Sequence, residues 1–540
     1  MKSNTRTTVG PDAGIDEIVC SANDLTLSEN ASEGRGQSLN STHIYLAILQ
    51  DQIRDLFQQT DTITIQAQSI ESLTDAKPLD FLPIGEVILF DQQTKKLRDI
   101  VTDLEKAIAV FTKLTEESVI RQLASLGAQN ATIASGRTPI LKLLSHFDSD
   151  IRKIVREILN KTSDQSLLWR VAEKCYKLAI SSSGNLHADK YFDLIEEVPV
   201  ESPNDPDFKS EEHYENGNQI DLNGEYAAPS RRENEPISDT RSTCKQGWVD
   251  FWISALNNSP NGPTLFYPAG GLYGKRLSLD VPRYLFRTYD ADSSGENNDN
   301  VIASTASCCL PESKPDILSI EKQEARVLLL MHLDKDCFGK GIKRDNLMSW
   351  TSSLLFAIQY AIWRSRKSRI RRPLSEIKIC AIDTSEFPMG QFVRDLALIQ
   401  QVDQRPSSFI FRLNYEEYYN GEYLSQGVLN HSGRSRVVSL EGLKNAGLFQ
   451  LFPEFEDVKG ETQWTKRASE LRDKWSTEQV TTDRDIQLAL QVAHDCFDPL
   501  SQLDVASILL SFKNREYSEL VAPGESSFKS NQFVVGGRLL

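Results

Sequence analysis

Three short segments in the second half of this 540-residue chain carry side chains that could do chemistry together. The first is Tyr284-Leu285-Phe286-Arg287-Thr288, an apolar run with one arginine inside it. Two roles are open to Arg287: a cation on the solvated face of an edge strand, or an enclosed guanidinium whose rigid fork of donors holds an anion. The second is Leu347-Met348-Ser349-Trp350-Thr351-Ser352-Ser353, which reads as a short strand running into a helix. Ser352 or Ser353 suffices to cap that helix. The hydroxyls of Ser349 and Thr351 are then left to face a ligand, and Trp350 or Tyr360 to stack on a flat heterocycle. The third is Gly421-Glu422-Tyr423-Leu424-Ser425-Gln426-Gly427, where a carboxylate enters a strand straight after a glycine turn. Acidic side chains are disfavoured inside strands unless the surface is solvated or the charge is used.

The elements that must position these residues follow from periodicity. Residues 1–41 are rich in Ser, Thr, Asn, Asp and Gly without a repeat and read as a disordered lead. From residue 42 the period turns helical. Leu97, Ile100, Val101, Leu104, Ala107, Ile108, Phe111 and Leu114 make one apolar stripe, and Ile151, Ile154, Val155 and Ile158 another, so 42–182 reads as a helical bundle. Core packing is the plainest use of such stripes; a face for a protein partner is the other. Residues 183–243 read as an acidic disordered linker: 191–240 alone hold 14 Asp and Glu against 3 Lys and Arg, most of the chain's net charge of −16. Strand signals then appear at Tyr284–Thr288, Ile377–Ile382, Ser408–Phe411 and Arg436–Leu440, with a helix from Ser353 to Trp363 and another at Ile320–Leu333. This makes 244–460 an α+β domain, followed by a helical extension at 461–520 and a tail at 521–540.

In this order the three segments resemble the ADP-ribosyltransferase fold of the arginine–serine–glutamate type. In that family a first-strand Arg is followed by a Ser-Thr-Ser strand leading into a helix, an Asp-containing strand, and a loop delivering a catalytic Glu. Arg287 with Asp290, Ser349-Trp350-Thr351 with Ala357, Tyr360 and Ala361, Ile379–Asp383, and Glu422 with Gly427 look like these parts, and Ser435–Leu440 like the closing strand. The middle of the serine element is Trp350 rather than a small hydroxyl residue, and Asn420 stands where arginine-modifying members carry Glu or Gln. Residues 282–427 also resemble a widespread uncharacterised fungal domain of unknown function. The overall expectation is multidomain: an N-terminal α-helical bundle plus an α+β ADP-ribosyltransferase-like domain with a helical C-terminal extension.

The resemblance implies NAD as substrate. It implies that Arg287 binds a phosphate and that Ser349 supports Arg287 and Glu422 or the nicotinamide-side ribose; Thr351, Trp350 and Tyr360 are cofactor-binding candidates through the hydroxyl and rings described above. Glu422 would bond the ribose 2′-hydroxyl and stabilise the oxocarbenium-like charge as nicotinamide leaves, a contact worth roughly 3–4 kcal/mol. The implied activity is NAD-dependent ADP-ribosyl transfer or NAD hydrolysis. The alternative is a non-catalytic protein-interaction module on the same fold, with a protein partner on the N-terminal helices.

Composition removes other classes. A net charge of −16 excludes a general binder of nucleic acid or anionic membrane. The longest apolar stretch, about a dozen residues near Leu354–Trp363, is short of the ~20 that a spanning helix needs. The opening residues lack the apolar core of a signal peptide, so an intracellular protein of the cytoplasm or nucleus is expected. The eight cysteines show no C-x-x-C spacing, which predicts a metal-free, reduced protein. The seven histidines are dispersed, so no Ser-His-Asp apparatus is expected. Arg364, Arg366, Lys367, Arg369, Arg371 and Arg372 read as the solvated C-terminal end of a helix, or as a patch that docks on the acidic linker.

Overall fold

The structure is a computed structural model. It describes residues 83–128, 137–162, 166–196, 234–267, 281–309, 315–334, 343–367, 372–403, 409, 421–457 and 463–516, with most of 51–72. The expected lead, the centre of the acidic linker, the tail, most of the 408–411 strand, and Arg369 and Arg371 lie outside the described residues.

The chain divides into two compact units, 1–118 and 119–540. Helix α1 (Ile84–Ala128) runs across the division. Along its part in the first unit the expected stripe is partly covered: Val101 and Ile108 are exposed and its other six members are half-buried, while Ile84, Val87, Ile88 and Leu89 nearer the helix start are exposed.

In the second unit, helices α2 (Arg137–His146), α3 (Asp148–Leu159), α4 (Leu167–Ile180), α5 (Asp189–Glu196) and α6 (Asn234–Asn258) share one core. The three- and four-residue spacing of Ile151, Ile154 and Val155 turns one face of α3 inward. Trp248 and Trp252 of α6 fill the centre, and the Trp248 indole donates to the Leu186 carbonyl at 2.8 Å. Two helices therefore occupy the ends of the stretch whose composition reads as linker. Tyr191 and Phe192 supply apolar surface for α5, and Arg241 of α6 bridges Asp189 and Asp193 at 2.7 and 2.8 Å. Local acidity hides such ends because the neutralising arginine is about fifty residues away. These helices belong to the same unit as the sheet. Arg434 pairs with Glu173 at 2.6 Å, and the Tyr176 hydroxyl donates to the Met389 carbonyl at 3.0 Å.

The sheet is antiparallel and curled. Its strands are β1 (Pro263–Thr264), β2 (Tyr284–Tyr289), β3 (Glu296–Asn297), β4 (Val301–Ala303), β5 (Leu347–Thr351), β6 (Lys378–Asp383), β7 (Val393–Arg394), β8 (Glu422–Asn430) and β9 (Ser435–Ser439). The order is β3-β4-β8-β5-β2-β6-β9, with β1 and β7 also on β8. One face carries helices. Leu347 and Leu424 meet Leu329 of α8 (Lys322–Leu333), after the short α7 (Thr305–Cys309); Phe286 and Ile379 meet α9 (Leu354–Lys367). The other face gathers Leu285, Tyr289, Met348, Trp350, Cys380 and Tyr423. Further along the chain come α10 (Asp395–Val402), α11 (Leu440–Asn445), α12 (Leu448–Leu451), α13 (Trp464–Trp475), α14 (Asp483–Phe497) and α15 (Gln502–Leu510). The last three pack with α9 in the largest core, and α14 starts on a Thr482–Asp485 capping box. No described helix is long and apolar enough to cross a membrane.

The basic run is not simply solvated. Arg364 is 1% exposed and chelates Asp290 through Nε at 2.6 Å and Nη2 at 2.5 Å, while Arg372 pairs with Asp292. A four-residue step along α9 carries Arg364 to the inner side, where Asp290 at the end of β2 waits.

Candidate functional site

Three of the residues singled out by sequence share one face of two adjacent strands. In the β5–β8 ladder Ser349 stands opposite Leu424, and Thr351 opposite Glu422. Directly opposed residues point to the same side, so Ser349, Thr351 and Glu422 all belong to the helix-bearing face. Ser349 and Glu422 are diagonal neighbours, about 7–8 Å apart along the backbone. Gly421 sets this register. Its φ is +63°, and a Cβ there would come within 2.0 Å of Ser352 Oγ, while its carbonyl accepts from the Ser352 amide at 2.9 Å. Glu422 is half-buried as it enters β8.

The Arg287 side chain leaves β2 on the opposite face of the sheet, so the structure does not bring it together with the side chains of Ser349 and Glu422. It stands opposite Cys380 in the β2–β6 ladder and shares the face of Leu285 and Tyr289. Strands β2 and β5 register at a single pair, Phe286 with Thr351. Next to that pair the Arg287 guanidinium donates from Nη1 to the Ser349 main-chain carbonyl at 2.7 Å, and from Nε to Asn297 Oδ1 at 3.2 Å. Arg287 thus meets Ser349 at its backbone, while the Ser349 hydroxyl lies on the opposite face. Among the described residues both partners of the guanidinium are neutral. Burial pushes its pKa below the usual arginine range, with Tyr360, Cys380 and Asp345 pulling the other way.

The Ser349 hydroxyl has a partner that dispersed histidines gave no reason to expect. His332, in the last turn of α8, places Nε2 2.9 Å from Ser349 Oγ and Nδ1 2.9 Å from both Asp345 oxygens. His332 is 2% exposed, Asp345 5%, and Ser349 half-buried, so the chain runs from interior to surface. The Leu347 amide donates to Asp345 Oδ1 at 3.1 Å, and the Asp345 carbonyl accepts from the Ala306 amide, fixing the carboxylate. With Nδ1 on a carboxylate, the neutral imidazole keeps its proton there and turns an unprotonated Nε2 to the serine. This corrects the expectation of no Ser-His-Asp arrangement. Spacings of 17 and 4 residues across a helix, a loop and a strand form no local motif.

Trp350 is 2% exposed on the far face, edge-on to Phe392, and its indole donates to Ser425 Oγ at 2.9 Å. Its place in the serine motif is explained by the strand alternation: it packs into the core between two residues that face the helices. Tyr360 accepts from Arg364 Nη1 at 2.9 Å and stacks beside Phe356 and Trp363. Sequence reasoning also missed Arg472. Its Nη2 donates to Ser353 Oγ at 3.2 Å, at the start of α9, and burial lowers its pKa. Thr351 Oγ1 in turn accepts from the Ser353 amide at 3.0 Å.

A domain of unknown function, DUF7587, matches residues 280–432, which span Arg287, His332, Asp345, Ser349 and Glu422. No curated protein and no solved structure matches the chain.

Proposed function

We propose that the chain is an NAD-dependent glycosyl-transfer enzyme, an ADP-ribosyltransferase or NAD glycohydrolase, working where strands β2 and β5 part. The supporting observation is Arg287: a half-buried guanidinium whose described partners are the neutral Asn297 and the Ser349 carbonyl. A partly desolvated charge with no counter-charge among the described residues is costly, and an incoming phosphate supplies one. In this reading Glu422, diagonal to Ser349 on the helix-bearing face and so across the sheet from the Arg287 side chain, stabilises the ribosyl cation, and the dinucleotide passes the gap between β2 and β5 to meet both. Thr351, on the helix-bearing face, and Tyr360, which acts electrostatically on Arg287, are the further contacts this reading assigns. The setting is intracellular, in the cytoplasm or nucleus.

Incubation with NAD labelled in the nicotinamide ring tests this. Nicotinamide release is expected, falling by about 10²–10³ in Glu422→Ala; no release above blank overturns the reading. A second reading, a non-catalytic module for a protein partner, is favoured by the exposed apolar residues of α1, and absent release from a protein that still folds would favour it.

A further inference from the structure

We infer that Asp345, His332 and Ser349 form an acyl-transfer relay with Ser349 as nucleophile and carboxylic esters as the substrate class. The inference goes beyond the nucleotide reading and needs no NAD. A serine activated for attack requires a base within hydrogen-bond reach and a third group that orients the base. Both are met: Nε2 lies 2.9 Å from Ser349 Oγ, and Asp345 holds Nδ1 with both oxygens at 2.9 Å. Capping or fold stability calls for no such order. A buried histidine can be satisfied by a main-chain carbonyl, as His431 is by Asn298 at 3.1 Å. Here the carboxylate is the more buried end and the hydroxyl the more open one, the gradient that access by an ester requires.

In the first step Ser349 Oγ forms a bond to the ester carbonyl carbon while its proton passes to His332 Nε2. The alkoxide leaves with that proton as the alcohol. Water then attacks the acyl-serine, gives one proton to Nε2, and the acid departs as Oγ takes the proton back. Asp345 is a positioning residue that fixes the tautomer and steadies the imidazolium.

Treating the full chain with a fluorophosphonate tests this: Oγ bonds to phosphorus, fluoride leaves, and the proton passes to Nε2. Mass mapping is expected to place the adduct on Ser349. His332→Gln should slow saturating labelling at least about 100-fold. Asp345→Asn should slow it comparably without changing the half-saturating probe concentration, a split that mere loosening of the site would not give. Imidazole should partly restore labelling in His332→Gly. A wild-type chain with no adduct on Ser349 overturns the relay, as does labelling of Asp345→Asn and His332→Gln at the wild-type rate. Neither result bears on nicotinamide release, which is read separately.

Discussion

Arg287 on β2 and Arg364 on α9 are satisfied in opposite ways. Arg364 is buried and bidentate on Asp290. Burial opposes its charge, yet the Asp290 carboxylate and the Tyr360 hydroxyl outweigh that and raise its pKa. Arg287 has a carbonyl and an amide oxygen for partners, and its pKa falls. The difference separates a guanidinium with a carboxylate partner from one whose described partners are both neutral. An arginine set in apolar sequence is no guide to which kind it is; the partner decides.

That contrast can be broken by substitution. Asp290→Asn strips Arg364 of its counter-charge and leaves a buried cation, which should cost about 3–5 kcal/mol in a thermal or urea unfolding experiment. A loss no larger than that of a surface substitution would mean that the pair is not a structural one. The same partner logic covers a buried histidine. His431 lies between the Ser435 hydroxyl at 2.6 Å and the Asn298 carbonyl, and burial lowers its pKa to about 4. It is neutral in the fold and more basic when unfolded. Its contribution is therefore complete above about pH 6.5 and is lost as pH falls from there toward 4, by up to about 3 kcal/mol. Urea midpoints at pH 7 and 4.5 should diverge less in His431→Gln than in the wild type. Equal divergence would show that His431 is not the titrating group. The smallest effect is expected for Arg287→Met: stability unchanged or raised by about 1 kcal/mol, because a half-buried charge with only neutral described partners is removed. A large destabilisation would place Arg287 beside Arg364 as a structural residue.

Much of the sheet was legible from local pattern. Apolar runs at Tyr284–Thr288 and Ile377–Ile382 correspond to β2 and β6, and Arg436–Leu440 largely to β9. The serine segment became strand β5, and the helix after it became α9. Ser349, Thr351 and Glu422 could be named because each sits in a short string with its own turn or cap. What could not be read was register. Arg287 lies on the opposite face from the Ser349 hydroxyl because β2 and β5 share one registered pair, which no single segment encodes. Trp350 looked like a stacking platform because its sequence neighbours are polar, but strand alternation sends it into the core. Arg364 with Asp290, and His332 with Asp345 and Ser349, join residues whose spacing has no meaning until the helices dock.

The central claim is that the parting of β2 and β5 beside Arg287 is a nucleotide site. Calorimetric titration with an NAD analogue whose nicotinamide-side ribose oxygen is replaced by carbon, so that it cannot be cleaved, tests this most directly. Saturable one-to-one binding to the wild-type chain is predicted, weakened at least tenfold in Arg287→Met while that protein keeps its melting temperature. No binding by the wild type, or equal affinity in the two proteins, would contradict it.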